Sequence, residues 1–223
     1  MNTDAANHQP EVFAVRDCAM VALATGRRAQ NLKELRAELQ AVDTSSIYFH
    51  FWGVLLQPGF EEREYNNDFA EWVRHQLHDP VLAERLGVID PSDYEDLEQL
   101  RAELCDAVEA RLEEREIIAW SLPDQQFEFR RSQIVVFRTP NCIAEPADLP
   151  GALGHMSTSS LFYHFIDARR RVPEGTDDFR AWLCQWGEKY RALIDALAGV
   201  DPYFTTLVDL RQRLAALCAD QLS

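Results

Sequence analysis

The sequence predicts a mainly α-helical protein with short β-hairpins, built from two tandem, pseudo-twofold repeats of one small helical unit. Two observations carry that expectation. First, Thr44-Ser45-Ser46-Ile47-Tyr48-Phe49-His50-Phe51 returns as Thr158-Ser159-Ser160-Leu161-Phe162-Tyr163-His164-Phe165, and at the same offset Phe13 meets Phe127, Arg16 meets Arg130 and Thr25 meets Thr139. After a short contraction, Asp68, Phe69 and Trp72 return as Asp178, Phe179 and Trp182, and Leu97, Leu100, Arg101 and Leu104 as Leu207, Leu210, Arg211 and Leu214. Rare residue types recurring in order mark a repeat architecture. Second, apolar residues fall at helical spacing through most of each copy.

The elements follow in order. Phe13-Ala-Val-Arg16 and Phe127-Glu-Phe-Arg130 alternate apolar and polar as a strand does, and Gln133-Ile-Val-Val-Phe137 supplies a second strand after a short turn. The matching stretch of the first copy, Cys18 to Ala24, is compatible with a helix. Leu32, Leu35 and Leu39 then share one helical face. Asp43 to Ser46 offer short side-chain oxygens to cap the helix that carries His50. Asp68 with Glu71 reads as a capping box for the helix that carries Trp72. A final helix is expected from about Asp93 to Glu116, and in the second copy from about Thr205 to Gln221. These elements place a polar tail at 1–11, repeat 1 at 12–116, a linker at 117–125 around Ser121-Leu-Pro-Asp124, and repeat 2 at 126–223.

Composition bounds the function. A chain of 223 residues with 47% apolar and 26% charged residues can build an ordinary core without staples. Its five cysteines, 18, 105, 142, 184 and 218, are odd in number and contain no Cys-x-x-Cys pair. That pattern fits a reducing compartment and argues against a disulfide framework or a structural zinc site. The start has no basic and apolar signal pattern, and no apolar run is long enough to span a bilayer. A net charge of −15 opposes binding to nucleic acid or anionic lipid. The expectation is a cytoplasmic protein with neither nucleic-acid nor membrane partners.

The order of strand, Leu-rich helix, Ser-Ser-Ile-Tyr-x-His-Phe helix and Asp-Phe-x-x-Trp helix resembles a prokaryotic family of uncharacterised proteins with tandem SIYYHF…DFxxWL units. The matching residues are Ser46, Ile47, His50, Asn67, Asp68, Phe69 and Trp72, then Ser160, Leu161, His164, Asp178, Phe179 and Trp182. The resemblance spans nearly the whole chain. It implies the repeat and the fold, and no reaction.

His50 and His164, with Asp68 and Asp178, are the candidate catalytic residues if any exist. Each histidine sits on a helix that is apolar nearly all round, so it is drawn into the core, where it needs a hydrogen-bond partner. The aspartate at the start of the next helix is the natural one, and such a pair would orient two helices. The functional alternative brings the two histidines together to bind a metal or polarise a substrate. No third ligand is locally spaced, so neither a metal nor another cofactor is expected. Trp72 and Trp182 read as core anchors. Trp52, Trp120 and Trp186 have no counterparts in the other copy, and Trp52 and Trp120 are candidates for a binding surface. Where copy one carries the acidic Pro58-Gly-Phe-Glu-Glu-Arg-Glu64, copy two carries Asp167-Ala-Arg-Arg-Arg171, so Arg169, Arg170 and Arg171 are candidates for an anionic group.

The chain lacks a Gly-rich phosphate loop, a G-x-S-x-G elbow and an H-E-x-x-H helix. With nine glycines it disfavours a dinucleotide fold. Cys18, Cys142 and Cys184 have no adjacent His or Lys to activate a thiol. The sequence therefore points to a non-catalytic interaction or regulatory module that binds a protein partner or self-associates. The alternative is a ligand-binding protein or enzyme with a pocket between the repeats, using the paired His and Asp and the arginine cluster for an anionic small molecule.

Overall fold

The computed structural model describes residues 10–56, 64–114, 123–172 and 175–222. Two long strands, β1 (Phe13–Ala29) and β2 (Phe127–Ile143), form a two-stranded sheet. Thr25 Oγ1 donates to the Phe129 carbonyl and Thr139 Oγ1 to that of Val15, each at 2.6 Å. Numbers therefore fall along one strand as they rise along the other, and the pair is antiparallel. This corrects the expected short hairpins. No turn interrupts Arg130 to Gln133, and Cys18 to Ala24 is strand rather than helix. Pairing over the full length of a partner strand outweighs weak local signals in both stretches.

The helices are α1 (Leu32–Ala41), α2 (Thr44–Leu56), α3 (Asp68–His75), α4 (Pro80–Gly87) and α5 (Leu97–Glu114) between the strands. After β2 come α6 (Leu149–His155), α7 (Thr158–Leu161), α8 (Ala168–Arg171), α9 (Asp178–Leu183), α10 (Arg191–Ala198) and α11 (Leu207–Gln221). Phe162–Asp167 joins α7 to α8 as a π-helical stretch. The protein is thus mainly helical.

The chain forms two compact units, Met20–Val135 and Met1–Ala19 with Val136–Ser223, called here the N- and C-terminal units. Their boundaries fall inside the strands. The helices between the strands pack with the first half of β2, and those after β2 pack with the first half of β1. Each strand start is thus built into the unit whose helices come from elsewhere in the sequence.

In the N-terminal unit α1 packs on α5 and α3 on α4. Leu32, Leu35 and Leu39 meet the burial expected of their spacing, opposite the buried Leu100, Leu104 and Val108. Each such side chain contributes about 1.5–3 kcal/mol when fully buried. Asp79 caps α4 by accepting from Leu82 N at 3.2 Å, and the same carboxylate takes a two-point contact from Arg111 of α5 at 2.8 and 3.0 Å. Arg111 also reaches Glu114 at 2.7 Å, which Arg85 of α4 meets at 2.7 Å. In the C-terminal unit α6 packs on α11, and Arg211 of α11 donates to the Met156 carbonyl that ends α6. Arg101 of α5 does the same for the Leu39 carbonyl near the end of α1. These guanidinium groups satisfy carbonyls that a helix end leaves without partners.

Candidate functional site

Each unit holds its histidine by the same set of contacts. On α2, Ser46 and His50 stand one turn apart and face β2. Ser46 Oγ donates to the Arg130 carbonyl at 2.7 Å, and Arg130 N–H donates to His50 Nε2 at 3.1 Å. In the C-terminal unit, Ser160 donates to the Arg16 carbonyl and Arg16 N–H to His164 Nε2, at 2.5 and 2.9 Å. A Ser-x-x-x-His pair on a helix thereby satisfies both backbone groups of one strand residue, doing there what a neighbouring strand would do.

The other ring nitrogen completes the link. His50 Nδ1 lies 2.8 Å from Asp68 Oδ2, and His164 Nδ1 lies 2.7 Å from Asp178 Oδ2. Since Nε2 accepts from a backbone N–H, its lone pair is unprotonated and the proton sits on Nδ1, pointed at the carboxylate. Both histidines are at most 3% exposed. The ring walls are aromatic: Phe69 and Phe127 around His50, Phe13 and Phe179 around His164. Trp72 and Trp182, both buried, donate from Nε1 to the carbonyls of Gln125 and Glu11, each at 2.7 Å, and fix the chain just before each strand.

The aspartates are free for this role because they are not the caps. Asn67 caps α3 by accepting from Ala70 N at 2.9 Å, and Asp177 caps α9 by accepting from Arg180 N at 2.9 Å. The capping box expected for Asp68 with Glu71 is therefore corrected: Asp68 is the first helical residue, and its carboxylate turns back to His50. Asp177 is fully buried, and burial pushes its carboxyl pKa up against the opposing pull of its bonds to Arg180.

A cleft of about 930 Å³ opens in the N-terminal unit, lined by His50, Asp68, Trp72, Asp124, Glu128 and Arg130 among others. His50 reaches it as an imidazole whose two nitrogens are both engaged. Arg169, Arg170 and Arg171 lie in the C-terminal unit. Arg171 donates to Asp167, to the Tyr163 carbonyl and to Asp178, and stacks 3.9 Å over the Tyr163 ring. Arg170 meets Asp167 at 2.9 Å, and Arg169 meets the Val200 carbonyl at 3.2 Å and lies over Phe165. Arg170 and Arg171 share the Asp167 carboxylate, and Arg169 turns to a different partner. Trp52 is half-buried and stacks on Tyr48, and Trp186 is half-buried with its ring edge-on to Trp182. Trp120, the acidic stretch from Pro58 to Arg63 and linker residues 117–122 lie outside the described residues.

Cys18 and Cys218 are buried, and burial above all pushes each thiol up to about 12, so neither can supply a thiolate nucleophile near neutral pH. Among the described residues no group of three or more His, Cys, Asp or Glu could hold a metal ion. No helix among them is long and apolar enough to cross a membrane. The sequence reading missed Arg16 and Arg130 as the clamped residues. The signal was present, because both strand starts and both Ser-x-x-x-His pairs recur at one offset.

Fold and site define a helical protein in which each compact unit grips a strand through a buried Ser–His pair completed by a half-buried Asp. The chain belongs to the family of unknown function DUF5752, which it matches over residues 10–219. It is similar to the solved structure of OrfY from Thermoproteus tenax, with 26% sequence identity, 95% of each chain covered and a TM-score of 0.82. No curated protein matches it.

Proposed function

We propose that this protein is a non-catalytic interaction or regulatory module, made by tandem duplication of one small helical unit and acting through a protein partner or self-association. The observation that carries this reading is the state of the two histidines. A general base needs a lone pair facing substrate, and here each Nε2 is given to a strand N–H and each Nδ1 to an aspartate. The arginine cluster is spent on Asp167, Asp178 and main-chain carbonyls. The duplication is supported by the Ser, His, Asp and Trp contacts, which join corresponding residues in each unit. A cytoplasmic setting and the absence of a cofactor are part of the same reading, the former supported by five free cysteines.

A second reading, a ligand-binding protein or enzyme for an anionic small molecule, draws on the cleft beside His50 and Asp68. The two readings separate in one experiment. Protein purified untagged from its host is examined by native mass spectrometry, then melted against a panel of sugar phosphates, nucleotides and carboxylates. The module reading expects the bare chain mass or a multiple of it, and no melting shift above about 1 °C at millimolar ligand. A stoichiometric small-molecule adduct, or a saturable shift abolished by Asp68→Asn, would overturn it.

A further inference from the structure

We propose that the cleft of the N-terminal unit is the docking site for a partner protein's segment that carries a tryptophan beside an amide side chain. This rests on the interaction reading above and supplies the chemistry of the partner. The C-terminal unit shows what such a site takes, because there the chain itself makes the contacts. In both units a tryptophan donates from Nε1 to a carbonyl two residues before the strand, Trp182 to Glu11 and Trp72 to Gln125. Each indole also stands edge-on to the first phenylalanine of that strand, Phe13 at 5.5 Å and Phe127 at 5.6 Å. Beyond these shared contacts the units differ. Glu11 N–H donates to the Gln185 side-chain oxygen at 2.6 Å, and the neighbouring Trp186 lies edge-on to Trp182 with centroids 4.8 Å apart. Gln125 N–H has no hydrogen-bond partner among the described residues, and Trp72 has no ring contact there besides Phe127. Both residues line the cleft instead.

The same stretch of the N-terminal unit does not supply the missing groups. From Val73 to Asp93 the chain holds no Trp, Tyr or Phe, whereas Trp182 is followed by Trp186 and Tyr190. The cleft therefore presents a backbone donor and an indole, the two groups that Gln185 and Trp186 meet in the other unit. Tryptophan is among the residue types that anchor interfaces. Charge sets the remaining requirement. Asp68, Asp124 and Glu128 line the cleft against one guanidinium, that of Arg130. A carboxylate acceptor would be repelled there, so the acceptor is an amide. At about 930 Å³ the cleft is large enough for several side chains, so its occupant is a chain segment rather than a lone ring. A second copy does not offer that segment: its Gln185 and Trp186 are engaged in their own unit, and no other tryptophan of the chain has an amide neighbour.

The test titrates the full chain, labelled with ¹⁵N at tryptophan, with three terminally blocked peptides. The first copies residues 184–190 with serine in place of Cys184, the second adds Trp186→Ala and the third adds Gln185→Glu. The first is expected to shift the indole N–H signal of Trp72 saturably and to leave that of Trp182 in place. The second is expected to bind at least about tenfold more weakly and the third several-fold more weakly. In the chain, Gln125→Pro deletes the N–H and keeps the carbonyl that Trp72 uses, and is expected to weaken the first peptide at least about fivefold. Glu128→Lys, at an exposed position, is expected to raise the third peptide to the level of the first, and it decides together with the peptide series if Gln125→Pro does not fold. Equal binding of the first two peptides, tightest binding of the third to the unmodified chain, movement of the Trp182 signal instead of the Trp72 signal, or no saturable shift up to about 5 mM peptide would each overturn the site. The interaction reading would then still stand or fall on native mass spectrometry and the ligand panel.

Discussion

His50→Ala and His164→Ala are each expected to lower the melting temperature by about 6–12 °C. Removing the ring strands a backbone N–H of the clamped strand residue, takes one donor from the aspartate and opens a cavity among Phe side chains. Together these cost about 3 kcal/mol, and for a chain of this length each kcal/mol moves the midpoint by about 2–4 °C. The two halves of the clamp can be separated. In His50→Asn the amide nitrogen stands where Nδ1 stood and can still meet Asp68. In His50→Gln the amide oxygen stands nearer Nε2 and can still accept from Arg130. Each should restore part of the loss, and differential scanning calorimetry reads both. If the alanine variants melt within a degree or two of wild type while losing a bound ligand, the histidines serve a site and not the fold.

The second large effect falls on the buried ion pair between α4 and α5. Arg111 and Asp79 side chains are 9% and 4% exposed, and breaking such a pair from one side costs about 3–5 kcal/mol, because the remaining charge is left without compensation. Arg111→Ala is expected to show that loss in urea unfolding. The double variant Arg111→Met with Asp79→Asn is expected to recover most of it. Asparagine keeps the cap on Leu82 N, methionine refills the space apolar, and Glu114 keeps its contact to Arg85. A double variant as weak as the single one would mean that the network, rather than the stranded charge, carries the energy.

Much of this fold was legible in the residues, and the failures have physical causes. Leu32, Leu35 and Leu39 announce α1 because a helix face is read locally. The histidines were drawn into the core by their neighbours Ile47, Phe49 and Phe51, and their Asp partners followed from position. The strands were misread because their stability is not local. Cys18 to Ala24 alternates poorly, and its strand state comes from β2, more than a hundred residues away. In the sequence Asp68 reads as a cap because Asp and Asn are nearly equal there. Only the geometry shows that Asn67, and not Asp68, holds the helix start. The partners of Arg170 and Arg171 were not legible, because a sequence does not display Asp167 and the Tyr163 carbonyl turned toward them.

The clamp itself is tested most directly by long-range ¹H–¹⁵N correlation on protein labelled at histidine. The account predicts that His50 and His164 carry their proton on Nδ1, with Nε2 showing the shift of an unprotonated acceptor, and that Ser46→Ala and Ser160→Ala leave this unchanged. A proton on Nε2 of either ring would contradict it, because that nitrogen could then not accept from the strand.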